Sequence, residues 1–97
     1  MKIKILTTAI EDLHRGRLFY EKQGEQVGEY FFDSLFSDID SLILYAGIHS
    51  VIFGYYRMLS KRFPYAIYYT IENDSRIIVW RILDLRQEPG KIEKDLL

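Results

Sequence analysis

The chain changes its hydrophobic period twice. Lys2-Ile3-Lys4-Ile5 alternates polar and apolar, which predicts a short strand with Ile3 and Ile5 turned inward. Thr8-Ala9-Ile10-Glu11 then has the form of a capping box, with the threonine hydroxyl accepting from the Glu11 N–H. A helix follows in which Ala9, Ile10, Leu13, Gly16, Arg17 and Tyr20 share one side, Gly16 allowing a close neighbour. Gln23-Gly24-Glu25-Gln26 reads as a break. From Val27 to Ala46 the spacing of Phe31, Phe32, Leu35, Phe36, Ile39, Leu42, Ile43 and Ala46 predicts one long amphipathic helix. Glu29, Asp33, Asp38 and Asp40 form its wet side, and Gly47 stands where a left-handed cap belongs. The short break between the helices makes them an αα-hairpin.

From Val51 the period becomes two. Phe53, Tyr55, Arg57 and Leu59 alternate with Gly54, Tyr56, Met58 and Ser60, predicting one strand that reverses near Ser60-Lys61-Arg62. In the next strand Phe63, Tyr65, Ile67, Tyr69 and Ile71 lie on one face, and Pro64, Ala66, Tyr68 and Thr70 on the other. Glu72-Asn73-Asp74-Ser75 reads as a polar turn leading to Arg76–Leu83, the most apolar strand. Pro89-Gly90 ends the regular pattern, and Lys91 to Leu97 reads as one loose helical turn or a mobile tail. The order strand, helix, helix, strand, strand, strand predicts an α+β fold, βααβββ: a helical hairpin on one face of a mainly antiparallel four-stranded sheet. The opposite sheet face is then free, and function is expected on it or on its edges.

Composition narrows the function classes. The 97 residues suit one domain with one core, spanning 1–97, and the chain reads as cytoplasmic. A cysteine count of 0 removes disulfides, thiolate nucleophiles and cysteine-based zinc sites. Thirteen Lys plus Arg against fourteen Asp plus Glu argue against a general nucleic-acid binder. Residues 1–50 carry a net charge of minus three and residues 51–97 a net charge of plus two, so the cations gather in the second half.

Few residues offer chemistry. Asp38 and Asp40 are two apart on a helix and point in different directions, and neither His14 nor His49 has a partner at metal-ligand spacing. No serine has a nucleophile-elbow context, and no glycine-rich phosphate loop occurs. What stands out is a mixture of cations and tyrosines: Arg57, Lys61, Arg62, Arg76, Arg81 and Arg86 among Tyr55, Tyr56, Tyr65, Tyr68 and Tyr69. Arginine forks clamp phosphates and tyrosine faces stack on bases, but the same two residues anchor protein interfaces. Spacing alone leaves both readings open.

Thr8–Leu13, Phe19-Tyr20, the long second helix with Phe31 and Leu35, Tyr56-Arg57, Arg62-Phe63-Pro64-Tyr65-Ala66-Ile67-Tyr68-Tyr69, Ile82-Leu83 and Pro89 together resemble the ParE/RelE superfamily of type II toxin–antitoxin toxins. The likeness spans nearly the whole chain, and the Arg-Phe-Pro-Tyr strand with its Tyr-Tyr pair looks closer to the ParE branch. It implies a small cytoplasmic bacterial toxin held inactive by a cognate antitoxin, with no cofactor, no metal and no membrane partner. On the ParE-like reading it inhibits growth through DNA gyrase. The target- or antitoxin-binding residues are then Arg57, Lys61, Arg62, Tyr65, Tyr68, Arg81 and Arg86, and no sequence-specific DNA binding by the chain alone is implied. On the RelE-like alternative it cuts messenger RNA on the ribosome without metal, with Arg57, Arg62, Arg81 and Arg86 as phosphate clamps and Asp84 beside them. Asp84 stands where many relatives have histidine, and Gln87 where many have arginine. A third reading keeps only the toxin fold, as a non-toxic binding module.

Overall fold

The computed structural model describes residues 1–73 and 75–97, so Asp74 of the expected polar turn lies outside the described residues. Among them the elements run β1 (Lys2–Ile5), α1 (Thr7–Glu21), α2 (Glu25–Asp40), α3 (Leu42–Tyr45), β2 (Ser50–Ile52), β3 (Tyr55–Leu59), β4 (Tyr65–Glu72), β5 (Arg76–Asp84) and α4 (Pro89–Leu96). The strands form a five-stranded sheet in the order β1-β5-β4-β3-β2, antiparallel except where β1 runs parallel to β5. The α+β class and the helical hairpin on a mainly antiparallel sheet stand as the alternation predicts.

The count of four strands is corrected to five. Phe53 and Gly54 take φ of 53° and 83°, a two-residue reversal that pairs Ile52 with Tyr55 and splits the expected strand in two. Positive φ at both positions is the pattern of a type I′ hairpin turn, which normally selects Asn-Gly. Glycine adopts it freely, whereas a non-glycine residue there carries roughly 1–3 kcal/mol of strain.

The helices face the core with Ala9, Leu13, Tyr20, Phe31, Leu35, Ile39 and Leu42, which pack on Met58, Tyr65, Ile67, Tyr69, Ile77, Val79 and Ile82. Burying each of the larger side chains contributes roughly 1.5–3 kcal/mol. Gly16 is needed at the helix crossing, because a Cβ there would overlap the Phe31 ring. Several details of the expected helices change. Helix α1 starts at Thr7 directly off β1 with no side-chain cap, so Thr8 already lies inside the first turn and its hydroxyl donates instead to the Trp80 carbonyl at 2.9 Å. The expected long helix breaks at Ser41, whose hydroxyl bonds the Asp38 carbonyl at 2.6 Å, and Ile43 beyond the break is exposed. Asp38, expected in water, is buried and accepts a 2.7 Å bond from the Ser60 hydroxyl. Ile10 is exposed too. Gly47 follows α3 at φ 95°, the left-handed position expected of it.

The free sheet face is also corrected. Residues 89–96 form α4, with Pro89 at its start, and Ile92 and Leu96, four apart, seal Ala66, Tyr68 and Leu83 on the side away from α1 and α2. The Tyr55 hydroxyl donates to the Leu96 carbonyl at 3.0 Å and fixes the helix end. A short tail with only two apolar anchors reads as loose in isolation; the apolar residues of β4 and β5 give it somewhere to fold.

Candidate functional site

One site begins with an irregularity in β5. Tyr68 pairs with Arg81 but Tyr69 pairs with Val79, so Trp80 is an extra residue, a β-bulge. The bulge lets Val79 and Ile82, three apart, both face the helices. Its freed groups are taken up by α1: Thr8 serves the Trp80 carbonyl, and the Asp12 carboxylate one turn later accepts the Ile82 N–H at 2.9 Å. Asp12 is 4% exposed and also receives Arg81 through two bonds, Nε to Oδ2 at 2.8 Å and Nη2 to Oδ1 at 3.0 Å. Arg15 adds a third cationic bond at 2.6 Å, and Arg81 Nη1 donates to the Asp95 carbonyl at 3.0 Å. The bonds to Asp12 hold the Arg81 guanidinium above its ordinary pKa. Arg81 thus ties the bulge, α1 and the end of α4 together.

Just beyond, Arg86 grips Asp84 in a fork, Nε to Oδ1 at 2.9 Å and Nη2 to Oδ2 at 2.7 Å. Its guanidinium also lies 5.3 Å from the Phe19 ring centre. Burial alone would raise the Asp84 pKa, but the hydrogen bonds from Arg86 outweigh it and the carboxyl sits below its usual range. Tyr65, beneath them, is pushed up to about 12 by burial and by the neighbouring Asp84 and Tyr20, so it is a neutral phenol at physiological pH. Tyr65 and Asp84 line a cleft of ≈ 420 Å³ in which Asp12, Asp84 and Asp95 face Arg15, Arg81 and Lys91. Its charges are matched in kind, and an incoming phosphate would have to displace a carboxylate to win a cation.

The other cations are different. Among the described residues, Arg57, Lys61 and Arg62 make no ion pair. Lys61 and Arg62 are exposed in the connection after β3, which Leu85 pins by donating its N–H to the Pro64 carbonyl at 2.8 Å. The Arg62 guanidinium lies 6.0 Å from the Tyr30 ring centre. Arg57, in β3, is paired across the ladder with Tyr68 on the α4 side. Burial raises the Tyr68 pKa, and the Arg57 guanidinium offsets part of that rise. Arg57 borders two hollows. One, of ≈ 480 Å³, also involves Lys61, His49, Tyr45 and Ile48; the other, of ≈ 320 Å³, is walled by Ile52, Phe53, Leu85, Pro89 and Ile92 over Tyr68.

The residues singled out from the sequence therefore fall into separate groups. Arg57 and Lys61 share one groove, Arg81, Asp84 and Tyr65 share the charge-matched cleft with Arg86 beside it, and Arg62 stands apart over Tyr30. Tyr65 and Tyr68, expected on the working surface, are 6% and 1% exposed and act from beneath it. Arg76 is exposed beside Lys2 and Lys4 at the β1 edge. Two residues escaped the sequence reading. Asp12 was signalled by an acid within the apolar run of α1, and Phe53 by a glycine following it between two alternating stretches.

Residues 3–89 match the family model described as the ParE toxin of type II toxin–antitoxin systems. No curated protein matches the sequence. Among solved structures, the chain is similar to one described as the chromosomal ParDE toxin–antitoxin system from P. aeruginosa. The two share 19% identity at a TM-score of 0.80, over 89% of this chain and 97% of that one. That likeness is one of fold; α4 lies almost wholly beyond the residues that the family model matches.

Proposed function

This chain belongs to the ParE toxin family of type II toxin–antitoxin systems, and from that premise we propose that it stops growth by acting on DNA gyrase and is neutralised by a cognate antitoxin. It works in the cytoplasm on this reading; no helix among the described residues is long and apolar enough to cross a membrane. The observation that carries the choice of a protein target over RNA is the dispersal and pairing of the arginines. A phosphoryl transition state needs cations converging on one point with their charge available. Here Arg81 is committed to Asp12 and Arg86 to Asp84, while Arg57 and Arg62 lie in different surroundings. On this reading Arg57, Lys61 and Arg62 offer unpaired charge to a partner protein, with Tyr68 beneath Arg57, while Tyr65, Arg81 and Arg86 contribute from the separate charge-matched cleft.

The experiment is pulse labelling of DNA and protein synthesis in bacterial cells after induction without antitoxin. Early loss of DNA synthesis with translation intact is the expected result. Early loss of translation would reject the gyrase reading and restore ribosome-dependent RNA cleavage.

A further inference from the structure

The hollow between the β2–β3 hairpin and α4 has a feature that packing does not require. Phe53, at the hairpin tip, holds φ at 53° although it is neither glycine nor asparagine, and its side chain is 46% exposed. Nothing in the fold needs an aromatic ring there: the core clusters omit it, and the turn itself would be better served by asparagine. A strained backbone that displays a large apolar group to water is the signature of a residue kept for contact with something else. Beside it lies the ≈ 320 Å³ pocket, apolar on its walls and holding Arg57. The volume is that of a socket for one or two side chains, not of a groove for a whole helix. At Arg57, which has no carboxylate partner among the described residues, a partner's acid would find an available charge.

We propose that Phe53, Ile52, Leu85, Pro89 and Ile92 with Arg57 form the socket by which this toxin grips its protein target, receiving an apolar side chain flanked by a carboxylate. The inference rests on the reading of the target as a protein. It adds to that reading the place of contact and the chemistry of the segment that binds. Charge complementarity selects the partner chemistry: Arg57 lines the socket and also the adjoining hollow that holds Lys61, so an acidic–apolar segment is attracted and a second copy of this cationic wall is repelled.

The test uses the full chain and the substitution Phe53→Asn, which replaces the ring by the residue that the turn prefers. The thermal midpoint should rise by about 4 °C or more, while the potency of growth arrest, at equal protein level, falls by roughly tenfold or more. Arg57→Gln should weaken arrest in the same direction. Opposite signs for stability and toxicity cannot come from misfolding. Growth arrest by Phe53→Asn equal to that of the unsubstituted chain overturns the socket alone. Early loss of translation on expressing the unsubstituted chain overturns the protein-target reading and the socket with it. Two other occupants have their own outcomes, each of which overturns the proposal. If Phe53→Asn stays toxic but escapes a co-expressed cognate antitoxin, the socket belongs to the antitoxin. If the unsubstituted chain sediments as a dimer and Phe53→Asn as an equally toxic monomer, it belongs to a second copy.

Discussion

The backbone departs from regular strand geometry at the Trp80 bulge and at the Phe53 turn, and the two departures are treated in opposite ways. At the bulge the freed groups are met: Thr8 donates to the Trp80 carbonyl, Asp12 accepts from Ile82, and Arg81 closes over the carboxylate. At the turn no hydrogen bond from a side chain among the described residues compensates the strained Phe53, which is 46% exposed at the rim of the hollow. The lesson is that irregularity alone does not mark function. An irregularity surrounded by dedicated partners is architecture, and one left uncompensated is a candidate for binding.

The largest effect is expected at the bulge. Asp12→Ala removes the acceptor of the Ile82 N–H and leaves Arg81 without its carboxylate in a half-buried site; a loss of about 3 kcal/mol in urea unfolding is expected. If the loss were within a few tenths, the bulge would need no compensation and the contrast would collapse. The turn should respond on a smaller scale. Gly54→Ala forces a Cβ into φ 83° although, among the described residues beyond its two chain neighbours, no atom lies within 4 Å of that Cβ, so it should cost about 1 kcal/mol through the backbone alone. Its neighbour Phe53→Asn should move stability the other way, and thermal melts of the two side by side separate strain from packing.

The smallest effect lies at the root of the hairpin. The Tyr69 hydroxyl accepts the Gly47 N–H at 2.9 Å and is hydrogen-bonded to His49 Nδ1. Burial lowers the His49 pKa from 6.5, so the unfolded chain takes up the proton more readily than the folded one. This contribution is constant above the unfolded value of about 6.5 and is lost as the pH falls through the folded value. Melting midpoints measured from pH 7 to pH 5 should therefore drop less in His49→Gln than in the unsubstituted chain, and identical profiles would remove His49 as the cause.

The sequence made the framework legible where a period repeated for several turns. The alternation of Tyr65, Ile67 and Tyr69 and the spacing of Phe31, Leu35 and Ile39 each marked the side that meets in the main core, because a shared face is what a period records. Failures came where a single residue decides. Phe53 disguises a turn, since only the glycine after it signals positive φ. Ser41 ends a helix through a bond to a carbonyl that apolar spacing does not register. The tail folds because Ala66, Tyr68 and Leu83 lie beneath it, which is tertiary information. The same holds for the cations: their enrichment in the second half is visible, but whether each has a carboxylate depends on Asp12, 69 positions from Arg81, and on Asp84, two from Arg86. Arg57, Lys61 and Arg62 could be told from Arg81 and Arg86 only once the chain was folded.

The parallel pairing of β1 with β5 has a consequence in time. The first strand finds its partner between Arg76 and Val79, and β5 also supplies the core residues Ile77, Val79 and Ile82 beneath the helices. Synthesis runs from the N-terminus, so the hairpin of α1 and α2 emerges with its apolar face uncovered and stays so until most of the chain has been made. Contacts between the two ends also close slowly. The working shape of the protein is withheld from each nascent copy until nearly its last strand has left the ribosome.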